Sequence, residues 1–186
     1  DEGKIAWNRW IDVGGEGLVK FQVQPGRLTL RLFDVTTRKL ELEKTVEAKE
    51  PRRLGHLAAN ELVRHFTHEP GAFDTPLAFV RRSKGAKEIW AADYDGHAGF
   101  PVTERGGISM LPSWAPRADQ IAFCYYKRTP QYPNGHPEIW VTDLPRGVPR
   151  PLITRGDLIT GASYAPDGTR IAYLMSQDGN SEIWVA

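Results

Sequence analysis

Three copies of one strand-turn-strand unit fill the second half of this 186-residue chain, and no other feature restricts its fold as much. Glu88-Ile89-Trp90, Glu138-Ile139-Trp140 and Glu182-Ile183-Trp184 occupy one slot of the unit. Leu77-Ala78-Phe79, Ile121-Ala122-Phe123 and Ile171-Ala172-Tyr173 occupy a second. Ser113-Trp114-Ala115-Pro116 recurs as Ser163-Tyr164-Ala165-Pro166, and the PVTERG stretch from Pro101 returns as PLITRG from Pro151. Copies stand 44 or 50 residues apart, because 14 residues separate Phe123 from Glu138 where 8 separate Phe79 from Glu88. A six-residue insertion within Lys127 to Pro137 accounts for the difference and leaves a period of 44. A period of about 40–45 residues with several short strands per copy is the sequence form of a propeller blade.

Each copy offers four candidate strands. An inner one lies around Trp114 or Tyr164, a second at the Ile-Ala-aromatic triplet, a third at Glu-Ile-Trp, and an outer one at PVTE or PLIT. The first copy lacks the inner strand and the last lacks the outer one. Ten strands, about two and a half blades, are therefore expected where closure takes about four to eight blades. The edges at Leu77–Arg82 and near Val185 would then need partners, so the chain reads as a piece of a longer protein. The hairpins alternate ends of each sheet. The Lys127–Pro137 insertion is thus expected on the same end as the loops entering the inner strands, which carry Met110-Leu111 and Thr160-Gly161.

The first half reads differently. Residues 1–16, with Trp7, Trp10, Ile11 and a glycine cluster, read as an incomplete entry into a domain. Val19, Phe21 and Val23 then alternate with polar neighbours, Pro25-Gly26 turns, and Leu28, Leu30 and Leu32 alternate in the next strand. After a turn near Thr36-Thr37-Arg38, Leu40, Leu42 and Val46 mark a third. Strict alternation predicts an antiparallel meander with one wet face. Its apolar face needs a cover. A helix opened by Pro51 offers Leu54, Leu57, Ala58, Leu62 and Phe66 on one side, and Pro70-Gly71 ends it. Arg52 and Arg53 sit at the unfavourable end of the helix dipole, with the Glu47–Glu50 stretch as candidate partners. The expected organisation is a partial N-terminal α/β domain over 1–74, antiparallel sheet plus helix. A partial β-propeller follows over 75–186, with repeats starting near 77, 113 and 163.

Bulk composition narrows the function classes. Net charge is +1 with both signs interspersed, which makes no electrostatic case for nucleic acid or an anionic membrane. No apolar run approaches the roughly 18 residues that span a bilayer. No signal peptide is present, so the chain reads as mature, truncated or cytosolic. Cys124 is the single cysteine, which excludes an intrachain disulfide and a thiolate zinc cluster.

Candidate chemistry is sparse. Gly161-Ala162-Ser163-Tyr164-Ala165 is near a nucleophile elbow, but that motif needs a strand-turn-helix context, and Ser163 matches Ser113 in the repeat. His65 and His68 are spaced to clamp a metal at a helix end, yet no third ligand is evident. Asp93-Tyr94-Asp95-Gly96 lacks the twelve-residue calcium-loop spacing and reads as a turn. Cys124 reads as a small buried apolar residue. The tryptophans at 90, 140 and 184 share a slot, which points to packing between blades. No catalytic residue, cofactor or metal site is predicted.

The two parts together resemble the TolB family of the Tol–Pal system. Its propeller repeat reads approximately Pro-x-Trp-Ser-Pro-Asp-Gly, then Ile-Ala-Phe, then Ile-aromatic-Val. The stretch SYAPDGTRIAY from Ser163 keeps nearly all of that, whereas Arg117-Ala118-Asp119 replaces the Asp-Gly pair. Leu54, His56, Ala59, Glu61, Leu62, Phe66, Thr67, Gly71, Phe73 and Thr75 fit the family's linker, with Asn60 in place of its usual Asp. Trp10-Ile11-Asp12 and Gly17-Leu18-Val19 resemble the segment leading into the sheet. The resemblance implies an N-terminal α/β domain before a six-bladed propeller, in the periplasm. It implies no enzyme activity but a scaffold that docks the lipoprotein Pal and maintains outer-membrane integrity, with TolA contacted through an N-terminal segment this chain does not contain. On that view the docking end carries Ser109, Met110, Leu111, Thr160, Gly161 and Ala162, beside Tyr132 and Asn134. Inward packing of Met110 and Leu111 beneath the loop is the alternative. The competing functional reading is a substrate-gating propeller of a prolyl-oligopeptidase-like serine peptidase; a glycan or lactone binder is a third.

Overall fold

A computed structural model describes residues 5–177 and 179–186; residues 1–4 of the entry segment lie outside it. The chain forms two compact units, Asp1–Thr75 and Pro76–Ala186.

The first unit begins with a short helix α1 (Trp7–Asp12), whose Trp7 meets Phe33 edge-on at 5.8 Å. Strands β1 (Gly17–Gln24), β2 (Arg27–Asp34) and β3 (Leu40–Glu47) form an antiparallel sheet in that order. Helix α2 (Pro51–Thr67) packs its Leu54 and Ala58 on Leu28 and Leu30 of the sheet. Pro51 opens the helix as expected. The helix ends earlier than Pro70-Gly71: His68 adopts φ 61° and its N–H returns to the Arg64 carbonyl at 3.0 Å.

Two apolar assignments need correction. Val19, Phe21 and Val23 do not form a buried row, since Phe21 and Val23 are 55% and 66% exposed. They share a face with Leu30 and Leu28, their register partners, but α2 lies on β2 and β3 rather than on β1. Phe66 is also exposed. Each four-residue step overshoots a helical turn by about 40°, so three steps from Leu54 carry position 66 well round the cylinder. His65 takes the sheet-facing place, 3.6 Å from Glu41 of β3. Glu47 pairs with Arg27 across the strands at 2.6 Å.

Asn60 ties α2 to the segment after it. Its Nδ2 donates to Asp74 at 2.5 Å and its Oδ1 accepts the Phe73 N–H at 2.9 Å. Gly71 lies so close that a Cβ there would sit 2.6 Å from the Asn60 Cα, so the position admits no side chain. An aspartate at 60 could accept from Phe73 but could not donate to Asp74.

Among the described residues the second unit forms three antiparallel sheets. The first holds β4 (Pro76–Ser83), β5 (Ala86–Asp93) and β6 (Phe100–Pro101). The second holds β7 (Ser109–Trp114), β8 (Gln120–Lys127), β9 (His136–Asp143) and β10 (Arg150–Ile153). The third holds β11 (Leu158–Tyr164), β12 (Ile171–Gln177) and β13 (Asn180–Val185). The chain's own repeat sets the packing. Trp90 pairs with Phe79, Trp140 with Phe123 and Trp184 with Tyr173, the same register in every sheet. Phe123 and Trp140 pack on Ile89 of the preceding sheet. Tyr173 packs on Ile139 and Val141, which belong to the sheet before it. The middle sheet is thus covered on both faces, and β9 is buried from Pro137 to Thr142. At about 25 cal/mol per Å² of apolar surface, this double cover makes the middle sheet the core. Outer positions stay open: Ile183 is 72% exposed in the slot where Ile89 and Ile139 are fully buried.

Candidate functional site

Six of the expected docking residues lie in strands rather than in loops, and Tyr132 and Asn134 lie on the inserted loop. Ser109, Met110 and Leu111 open β7, and a bulge between Met110 and Ser113 interrupts the pairing with β8. Thr160, Gly161 and Ala162 lie in β11, with a matching bulge between Thr160 and Ala162. A bulge needs a residue of unusual backbone. Gly161 supplies φ 59°, and Leu111, its repeat counterpart, adopts φ 53° despite its side chain. The two sets come together because β11 packs against β7.

Their accessibilities differ. Leu111 is 49% exposed. Met110 is half-buried, and its Sδ accepts from Lys87 Nζ at 3.4 Å. Thr160, Gly161 and Ala162 are half-buried. Ser109 is fully buried, and its hydroxyl has no hydrogen-bond partner among the described residues. It stands where the third repeat has the buried Ile159, so it fills the core and offers nothing to a partner. Tyr132 and Asn134 are exposed on the insertion, where Tyr132 leans on His136 with ring centroids 4.7 Å apart. The Tyr126 N–H bonds the Ile108 carbonyl at 2.9 Å, which puts the insertion and the entry to β7 at one end of the sheet.

The glutamate of the repeated Glu-Ile-Trp slot makes polar contacts that differ between copies. Glu88 clamps the loop after β6: Thr103 Oγ1 donates to Oε2 at 2.5 Å, and the Arg105 and Gly106 N–H groups donate to Oε1 at 2.9 and 2.7 Å. Thr103 Oγ1 also accepts the Ile89 N–H at 3.0 Å. Arg105 then lies 4.8 Å from the Tyr125 ring centre and 4.5 Å from that of Trp140. In the next copy Ile153 replaces Thr103, and the clamp is not made. Glu138 instead accepts the Trp140 indole N–H at 2.7 Å and lies 3.7 Å from Lys127 Nζ. A cleft of about 640 Å³ opens there, between the insertion and residues Thr154 to Gly156. The recurrence of Glu-Ile-Trp was the available signal; its polar partners lie in other strands.

The remaining motifs resolve as local structure. Ser163 lies in β11, not at a strand-to-helix turn. Asp93-Tyr94-Asp95-Gly96 closes a turn, with the Gly96 N–H on the Asp93 carbonyl at 2.8 Å. His65 faces Glu41 while His68 caps the helix. Burial pushes the Cys124 thiol up to about 11, and its Sγ points to the Ile159 carbonyl at 3.7 Å. Tyr164 donates to Gln120 Oε1 at 2.5 Å, and burial pushes its hydroxyl up to about 12. No group of three or more potential metal-binding side chains occurs among the described residues. No helix among them is long and apolar enough to cross a membrane.

Comparison with known proteins agrees with this architecture. The model of the TolB β-propeller domain matches residues 63–186. The Tol-Pal system protein TolB of Myxococcus xanthus (strain DK1622) is 38% identical over 130 residues, 67% of this chain and 30% of that protein. The protein of the same name from Anaeromyxobacter dehalogenans (strain 2CP-C) is 36% identical over 129 residues, 66% of this chain and 30% of its own length. The chain thus spans about a third of the length of the curated relatives it matches. The crystal structure of TolB from Acinetobacter baumannii superposes with a TM-score of 0.79 at 26% identity, covering 98% of this chain and 47% of that one.

Proposed function

This chain belongs to the TolB β-propeller family, and from that premise we propose that it is a non-enzymatic protein-binding scaffold of the Tol–Pal system. Its relatives carry the Tol-Pal name, and no catalytic family is indicated. On this reading the protein works in the periplasm and docks Pal on one end of its propeller, which supports outer-membrane integrity; TolA is a second partner, contacted outside this segment. The first unit is the later part of an N-terminal α/β domain, and the second is part of a six-bladed propeller.

The observation that carries the docking surface is the pair of matched bulges at Leu111 and Gly161. They take Leu111 and Gly161 out of strand pairing, beside the paired Met110, Thr160 and Ala162, at the end that also carries Tyr132 and Asn134. Leu111 offers an exposed apolar side chain held rigidly by a strand, the form of surface that suits a binding anchor. Calorimetric titration of the full-length protein with Pal tests this. Met110→Glu or Thr160→Glu is expected to weaken binding at least tenfold, and unchanged affinity in both variants refutes the assigned face.

A further inference from the structure

We infer that the cleft between the insertion and the Thr154–Gly156 turn is a subsite for an acidic side chain of the docked protein. The inference rests on the docking reading above and names the chemistry of one part of that surface.

The charges at the cleft favour an anion. Lys127, His136 and Arg155 line it, and Glu138 is the one carboxylate among the lining residues. That carboxylate is already engaged. Its side chain is only 9% exposed, its Oε2 holds the Trp140 indole and its Oε1 faces Lys127. It therefore acts as a fixed floor that steers the Lys127 ammonium, while the exposed Arg155, without an ion pair among the described residues, adds a positive charge at the lip.

The repeat explains why Arg155 is available. Its counterpart Arg105 is held by two aromatic rings, and Glu88 binds its backbone N–H. In the second copy both restraints are gone. Ile153 replaces the clamping Thr103, and Met175 stands where Tyr125 supplied a ring. No ion pair or ring contact to Arg155 occurs among the described residues. A guanidinium in that state can meet a carboxylate with two parallel hydrogen bonds. The Tyr132–His136 pair walls the other side of the cleft.

The test uses the full-length protein and Pal in calorimetric titrations at low and high salt. Arg155→Glu is expected to weaken binding at least tenfold and to flatten its salt dependence. Arg155→Gln should weaken it less. Arg146→Glu, in the turn between β9 and β10 at the opposite end of the sheet, should leave affinity unchanged. Melting temperatures confirm that each variant is folded. Wild-type protein that fails to bind Pal refutes the docking reading itself. Wild-type binding with equal affinity in both Arg155 variants, or with no salt dependence, overturns the acidic subsite alone.

Discussion

The second and third repeats build the same two turns with different residues. The third uses Gly161 at φ 59° and Gly168 at φ 72°, whereas the second uses Leu111 at φ 53° and Ala118 at φ 55°. The turn at Ala118 is nevertheless the same one: its N–H bonds the Ala115 carbonyl at 2.9 Å, and that of Gly168 bonds the Ala165 carbonyl at 2.8 Å. The left-handed region costs a residue with a side chain about 1–2 kcal/mol. The middle sheet tolerates this because neighbours on both faces determine its backbone, and the third sheet has only the preceding one within this chain. Packing, not local preference, sets the turn.

The largest test of that contrast lies in the shared isoleucine slot. Ile139→Ala, at a fully buried position, should cost about 2–5 kcal/mol. Ile183→Ala, 72% exposed in the same slot, should stay within about 0.5 kcal/mol. Urea unfolding compares the two, and equal losses would mean the sheets are covered alike. The clamp comes next. Thr103→Ile copies the second repeat into the first and strands the Ile89 N–H and one Glu88 oxygen, so a loss of about 1–3 kcal/mol is expected by the same measurement.

Smaller effects belong to the turns. Leu111→Gly and Ala118→Gly should each raise stability by up to about 1 kcal/mol, while Gly168→Ala should lower it by about 1–2 kcal/mol. Leu111→Gly should also weaken Pal binding, which sets stability against function at one residue. A loss of stability in either glycine variant would show that their side chains contribute more than the backbone costs. The last effect, confined to alkaline pH, concerns Cys124. Its folded value is raised from 9.0 to about 11, so the unfolded chain loses the proton first. Stability should therefore fall as pH rises from 9.0 to about 11 and be unaffected below that window. Cys124→Ala should remove that part of the pH dependence in thermal melts.

The repeat made the three sheets, their strand order and the aromatic register readable, because a sheet buried on both faces writes its periodicity into every copy. Its entry into bulges was not readable. Met110-Leu111 looked like a loop since leucine carries no sign of left-handed backbone, and only the alignment with Gly161 hints at it. Phe66 and the β1 alternation misled for another reason: periodicity marks which residues share a face, not whether anything covers that face. Asn60 stood out as a departure from the family's linker, but its bonds to Phe73 and Asp74 depend on a chain reversal that spacing does not encode.

The amino-acid order determined by itself that 44-residue modules would stack through paired aromatics, since each module's apolar slots can be buried only against another copy. It also placed the insertion and the inner-strand entries at one end, because hairpin parity follows from strand count. Tertiary structure decided which repeated glutamate closes on its loop and which leaves a cleft. That choice turns on Thr103 and Tyr125, which meet Glu88 and Arg105 only after separate strands have packed, and on Ile153 and Met175, which stand in their places in the next copy.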